Sequence, residues 1–244
     1  MAAEAGAVLA AVDSAALVEA VSEAAALPAD GDYDMKAETF FTEADKKKIA
    51  AAVRAVELKS AGEIAVMVVD RSDDYPEGQI LAGGVIGCLS AMAATELFWA
   101  GNLWVFVVSA LVLTVLCGWL VHYLPEVKRF FTPNDRLELQ VQDRALTAFY
   151  EKGLYKTRDE SGVLFFVSLF EHKVWVLADK GIYEKIRQET LQAYARDIAV
   201  GIKSGKAADM LCQSITAVGE LLARHFPVKQ DDVNELSDEV IIGQ

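Results

Sequence analysis

Two long apolar segments dominate the hydrophobic pattern, Ile80–Phe98 and Leu103–Leu124, separated by Trp99-Ala100-Gly101-Asn102 and containing one charged residue, Glu96. A helix needs roughly 20 apolar residues to cross a hydrocarbon core about 30 Å thick. The pattern therefore predicts a transmembrane helical hairpin. Gly83, Gly87 and Ala91 share one helix face, as do Ala110, Thr114 and Gly118 on the second segment. Small residues four apart let two backbones approach closely in lipid. Phe98, Trp99 and Trp104 stand at the expected tip, and Trp119 and Tyr123 near the returning end, as interfacial aromatics do. The tip lacks Lys and Arg, whereas Lys128 and Arg129 follow the second segment, so both ends are expected to face the cytoplasm. Glu96 lies within a turn of the tip, where its carboxylate can reach headgroups. A pore of hairpin oligomers lined by Glu96 is the competing role.

Outside the hairpin the periods are shorter. Thr42 and Asp45 form a capping box that opens a helix with Ile49, Ala52, Val53 and Val56 along one side. Gly62 turns the chain into Glu63–Val69, apolar on both faces like an interior strand. After the hairpin, Thr132-Pro133-Asn134-Asp135 starts a helix carrying Leu137, Val141, Ala145 and Phe149 and ending at Gly153. A strand Gly162–Leu169 follows, parallel to the first, completing a crossover interrupted by the hairpin. Strands from both sides of the insertion must share one compartment, so the number of spans is even. A tight turn then leads to Val174–Ala178, with Leu169 expected opposite Val174 and Gly162 opposite Gly181. Helices Glu189–Lys203 and Lys206–His225 finish the fold. The expected organisation is an acidic, Ala-rich arm over 1–35, a first domain part over 36–79, the hairpin over 80–124, a second part over 125–229, and an acidic tail without an element over 230–244. The fold class is α/β: a three-layer α/β/α sandwich with a small mixed central sheet, interrupted by the two-helix hairpin.

Charge narrows the partners. A net charge of −13 argues against a nucleic-acid partner and against broad adhesion to anionic lipid. Cys88, Cys117 and Cys212 lie in predicted helices without metal-ligand spacing, and His122, His172 and His225 are scattered. The predicted strand pairing brings Asp159 and Glu160 to the same end of the sheet as Asp179. These three carboxylates are the candidate metal ligands. They suit a hard cation, Ca²⁺ or Mg²⁺, which could polarise a phosphoryl oxygen or activate water. Arg158 and Lys180 lie among them and could neutralise them instead. In the tail, Asp232 and Asn234 alternate as in a calcium loop, but Ser237 stands where the sharp turn needs glycine.

Several short motifs occur in a characteristic order: Phe41-Thr42-Glu43-Ala44-Asp45, Gly62-Glu63-Ile64, Thr157 with Ser161-Gly162-Val163-Leu164, Ala178-Asp179-Lys180-Gly181-Ile182, and Phe226-Pro227 with Asp232, Asn234, Glu235 and Leu236. Together they resemble the membrane-associated bacterial branch of the TPM domain family over about 40–69 and 134–240. The resemblance implies a compact α/β/α sandwich. It also implies one of three roles: acid-phosphatase-like activity, divalent-cation binding, or auxiliary work for membrane protein complexes. Where phosphatase-like relatives place Asp-Asn-Gly before the second strand, this chain has Asp159-Glu160-Ser161-Gly162, and only Asp159 and Gly162 match.

The sequence shows no nucleophile with a partnered base and no phosphate-cradling glycine loop. The expected function is a binding, scaffold or auxiliary module for a membrane protein partner, tied to the inner membrane by two spans with its soluble domain in the cytoplasm. Homo-oligomers through the small-residue faces are a further expectation. The alternative is a metal-assisted phosphatase acting on phosphate monoesters through Asp159, Glu160 and Asp179.

Overall fold

The computed structural model describes residues 36–157, 159–228 and 238–243. The N-terminal arm, Arg158, and Asp232, Asn234 and Ser237 of the tail lie outside them. The chain forms two compact units, one from Met1–Arg71 with Val141–Gln244, the other Ser72–Gln140.

The first unit is a mixed α/β structure built on a four-stranded sheet of order β3-β2-β1-β4. Helix α1 (Ala37–Phe40) precedes α2 (Glu43–Glu57). The Thr42 hydroxyl accepts from the Asp45 N–H at 3.1 Å, and the Asp45 carboxylate accepts from the Thr42 N–H at 3.2 Å. This reciprocal cap fixes the start of α2. Strand β1 (Glu63–Val69) follows, buried at every residue.

Strand β2 (Gly162–Ser168) pairs with β1 in parallel along its whole length, Glu63 opposite Gly162 through Val69 opposite Ser168. The strands join across the entire Ser72–Gln140 unit, as the interrupted crossover requires. Side chains alternate between the sheet faces. On one face Ile64, Val66, Val68, Val163, Phe165 and Val167 pack with Ile49 and Val53 of α2, Leu191 and Ile198 of α8 (Gln188–Lys203), and Leu211, Ile215 and Leu222 of α9 (Ala207–His225). On the other, Ala65, Met67, Leu164 and Phe166 pack with Val141, Ala145 and Phe149 from α6 (Asn134–Glu151) and with Leu154.

Strand β3 (Lys173–Ala178) is antiparallel to β2, but Ser168 opposes Lys173 and Val163 opposes Ala178. The expected pairs, Leu169 with Val174 and Gly162 with Gly181, are therefore displaced by two positions. Local turn chemistry sets this register: His172 takes a left-handed φ of 54°, its N–H donates to the Leu169 carbonyl at 3.1 Å, and the buried Ser168 hydroxyl donates to the buried Glu171 carboxylate. A shift by two keeps each side chain on its predicted face, so the core is as expected although the partners are not.

The tail also differs from expectation. Ile241–Gly243 forms β4, parallel to β1, with Met67 opposite Ile241. A stretch expected to carry no element thus closes one edge of the sheet.

The second unit contains the two helices long and apolar enough to cross a membrane, α3 (Pro76–Trp99) and α4 (Leu103–Val121). Helix α3 starts four residues before the expected apolar boundary, because Pro76 suits the first helical turn. At 19 residues, α4 is about 28 Å long. Asn102 caps it, its side-chain oxygen accepting from the Trp104 and Val105 N–H groups at 3.1 and 3.4 Å. A Cβ on Gly83 would lie 2.6 Å from the Gly118 Cα, and one on Gly87 2.5 Å from the Thr114 Cα. The predicted small-residue stripes are therefore the faces on which the helices touch. The Gln79 amide donates to the Gly118 carbonyl at 2.9 Å, and the Thr95 and Ser109 hydroxyls meet at 3.5 Å. The remaining surface is apolar and open: only 28% of the most apolar stretch of α3, and 6% of that of α4, is buried. Glu96 is exposed at the tip, its carboxylate lying over Gly101.

After α4, the short helix α5 (Pro125–Phe130) packs against the first turn of α3, where Gly78 faces the Lys128 carbonyl and the Thr132 hydroxyl. Arg136 completes the unit, donating to Glu77 at 3.0 Å and to Asp73 at 3.2 Å.

Candidate functional site

The chemistry-bearing groups of the α/β unit gather where β1 and β2 begin and β3 ends. Gly162 opens β2, and its carbonyl accepts from the Asp179 N–H at 2.9 Å. Asp179 then caps helix α7 (Lys180–Tyr183), one carboxylate oxygen accepting from the Lys180 N–H at 2.7 Å. Its second oxygen is buried and has no hydrogen-bond partner. The turn before β2 closes over Gly181, whose Cβ, if present, would lie 2.7 Å from the Glu160 carbonyl oxygen and 2.9 Å from that of Asp159. Glu160 adopts a left-handed φ of 52° to make that approach. The structure thus brings Asp159, Glu160 and Asp179 to one end of the sheet despite the changed register. Burial raises the Asp179 pKa, the Lys180 N–H draws it back, and the charge of Glu160 raises it further.

A second carboxylate group, which the sequence reading did not single out, lies at the start of β1. Glu57, in the last turn of α2, accepts from the Ile64 N–H at 3.2 Å. Glu63 opens β1 at 7% exposure, and its N–H donates to the Ser161 carbonyl at 3.3 Å. The Glu57 carboxyl is pushed up to about 8, first by burial, then by the charge of Glu63 and by a hydrogen bond shared with Asp238 ahead of β4. Near neutral pH this group holds a proton between acids. Its signal in sequence is faint: a glutamate in the last helical turn, where the helix dipole favours cations, and the run Asp238-Glu239-Val240 leading into an unanticipated strand.

This edge can hold protons and present carboxylates. The test for a resident cation is whether enough ligands converge. Asp179 offers one uncommitted oxygen, but among the described residues no group of three or more His, Cys, Asp or Glu side chains is placed to hold a metal ion.

No family model matches this chain, and no curated protein matches it. Its fold is nonetheless seen elsewhere. The NMR structure of BA42 protein from the psychrophilic bacterium Bizionia argentinensis matches with a TM-score of 0.52 at 20% identity, covering 84% of this chain and 96% of that one. At that identity the likeness concerns the fold alone.

Proposed function

We propose that this chain is an integral membrane protein of TPM-domain type, anchored in the inner membrane by α3 and α4, whose α/β/α three-layer domain is a cytoplasmic binding or scaffold module for a membrane protein complex. The observation that carries this reading is the combination of two spanning-length helices, packed together through glycine, with an outward apolar surface left open. A large exposed apolar surface on a soluble chain marks an interaction or membrane site. The location of the pair strengthens it. The helices interrupt a crossover between strands that pair along their full length, so two spans return the chain to the side it left.

The test uses the whole protein. Alkaline carbonate should leave it in the membrane pellet, and protease added to sealed inverted vesicles should cut the α/β unit while right-side-out vesicles protect it. Release by carbonate would defeat the anchor, and protection in the opposite orientation would defeat the cytoplasmic placement. Purified protein titrated with Ca²⁺ or Mg²⁺ while phosphate-ester turnover is followed separates the scaffold from the phosphatase. Steady turnover abolished by Asp179→Asn would favour the enzyme through the uncommitted Asp179 oxygen. Cation binding without turnover would fit a scaffold steadied by the ion at its acidic edge.

A further inference from the structure

The outer edge of β1 is shared by a side chain and a strand. The Glu63 N–H donates to the Ser161 carbonyl on the β2 side, whereas the Ile64 N–H turns the other way, to the Glu57 carboxyl at 3.2 Å. Successive residues of a strand face alternate edges with their backbone groups, so the Val66 and Val68 N–H groups share that outer side. Strand β4 pairs there, Met67 opposite Ile241 through Val69 opposite Gly243. Traced back along the chain, this parallel register brings Asp238 level with Ile64, and the Asp238 and Glu57 side chains share a hydrogen bond. Two carboxyl groups can make that bond only when one of them carries a proton.

The strand itself is a small attachment. It is three residues long, meets three of the seven residues of β1, and leaves Ile242 39% exposed. Val240 and Ile241 reach the two core layers only as partly buried residues. The charged groups that act on Glu57 are Glu63, from β1, and Asp238. Helix α9, the other element packed at this end of α2, arrives with apolar contacts, Gly219 against Val56 and Leu222 against Gly62. Loss of the shared proton therefore sets three carboxylates, Glu57, Glu63 and Asp238, against one another across the β1–β4 contact, and like charges held this close repel.

We propose that β4 is a proton-latched strap, closed on β1 while Glu57 and Asp238 share one proton and released when that proton passes to solvent. Release opens the outer N–H and C=O groups of β1, a template on which an extended segment adds as a strand. All of the groups involved belong to the α/β unit, so this inference goes beyond the membrane-anchor reading and stands apart from it.

The experiment is hydrogen exchange on the full chain in detergent, read as protection factors for 238–243 and for 63–69, with 162–168 as the internal reference. Protection of 238–243 and of the outer β1 amides should fall about tenfold or more from about pH 5 to about pH 8 and level off above that, since one proton shifts an equilibrium by up to about tenfold per pH unit. The reference strand should hold. E57Q, whose amide can accept from Ile64 and donate to Asp238, should stay closed across the range, and D238N should shrink the loss. G243V, whose side chain would meet Met67 and Val69, should be open at every pH and so marks the released level. If E57Q does not accumulate, D238N carries the comparison. Wild-type protection that is flat with pH overturns the inference, as does a loss of the same size in the variants. So does a reference strand that loses protection in step with β4, which would make the event unfolding of the whole unit.

Discussion

The two units use apolar residues in opposite ways. In the α/β unit the large side chains point inward: β1 and β2 are buried throughout, and Phe165 and Phe166 are among the largest fully buried residues. In the helix pair the small ones do. Gly78, Ala82, Gly83, Gly87, Ala91 and Thr95 are the buried positions of α3, while leucines, valines and tryptophans of α4 face outward. Burial of large apolar surface is how water drives a fold together. Contact through glycine removes little such surface, and it suits a solvent as apolar as the side chains themselves. The proposed anchor calls for this contrast, because it gives one chain two solvents.

The largest effect should fall in the α/β unit. Phe165→Ala empties a site in the centre of the sheet and should cost about 3–5 kcal/mol, read as a lower denaturation midpoint of the detergent-solubilised protein. Within the helix pair, Gly87→Leu should cost about 1–3 kcal/mol through overpacking, since the new Cβ meets the Thr114 backbone rather than a yielding side chain. It should speed modification of the half-buried Cys117 by a thiol reagent. Unchanged Cys117 reactivity would mean that the pair does not depend on the glycine contact.

Most of this contrast is legible in sequence, and the exceptions have physical causes. The apolar run Ile64–Val69 of β1 and the Thr42–Asp45 cap are local patterns with one reading, and the structure reproduces both. The glycine stripes also give the helix contacts directly. The β2–β3 register is not legible in the sequence, because it depends on a left-handed His172 and a buried Ser168–Glu171 hydrogen bond, neither of which hydrophobic alternation can reveal. Strand β4 is three residues long, too short to show a period, and belongs to the sheet only through β1. Without β4 the acid group around Glu57 cannot be assembled, which is why Asp159, Glu160 and Asp179 were visible as a candidate site and Glu57, Glu63 and Asp238 were not.

That hidden group gives a pH signature to the α/β unit. Glu57 has a folded-state pKa of about 8 against 4.5 for the free side chain. Between those values the folded state holds more protons at this group than the unfolded one, so the stability Glu57 contributes is fully present below about 4.5 and is lost as pH rises through about 8. The raised Asp179 contributes with the same sign. Because Glu57 is half-buried, solvent screening reduces the size of the effect. Glu57→Gln should flatten the decline in a series of denaturation midpoints across that range. A variant with the wild-type slope would place the pH dependence on other groups.

Thr42→Ala should cost about 1 kcal/mol by removing the cap of α2, with the helix pair unaffected. The smallest effect should come from the position that most sharply divides the two units. Leu111 is 68% exposed on α4, and Leu111→Ala removes as many atoms as Leu164→Ala does from the sheet core. If lipid or detergent is its only neighbour, truncation leaves no cavity in protein, and the midpoint should move by less than about 0.5 kcal/mol. Leu164→Ala should cost about 2–5 kcal/mol. A cost at Leu111 approaching that of Leu164 would mean that protein covers this face, and crosslinking of the full chain in the membrane would then show the homo-oligomer that the outward surface of α4 would be serving.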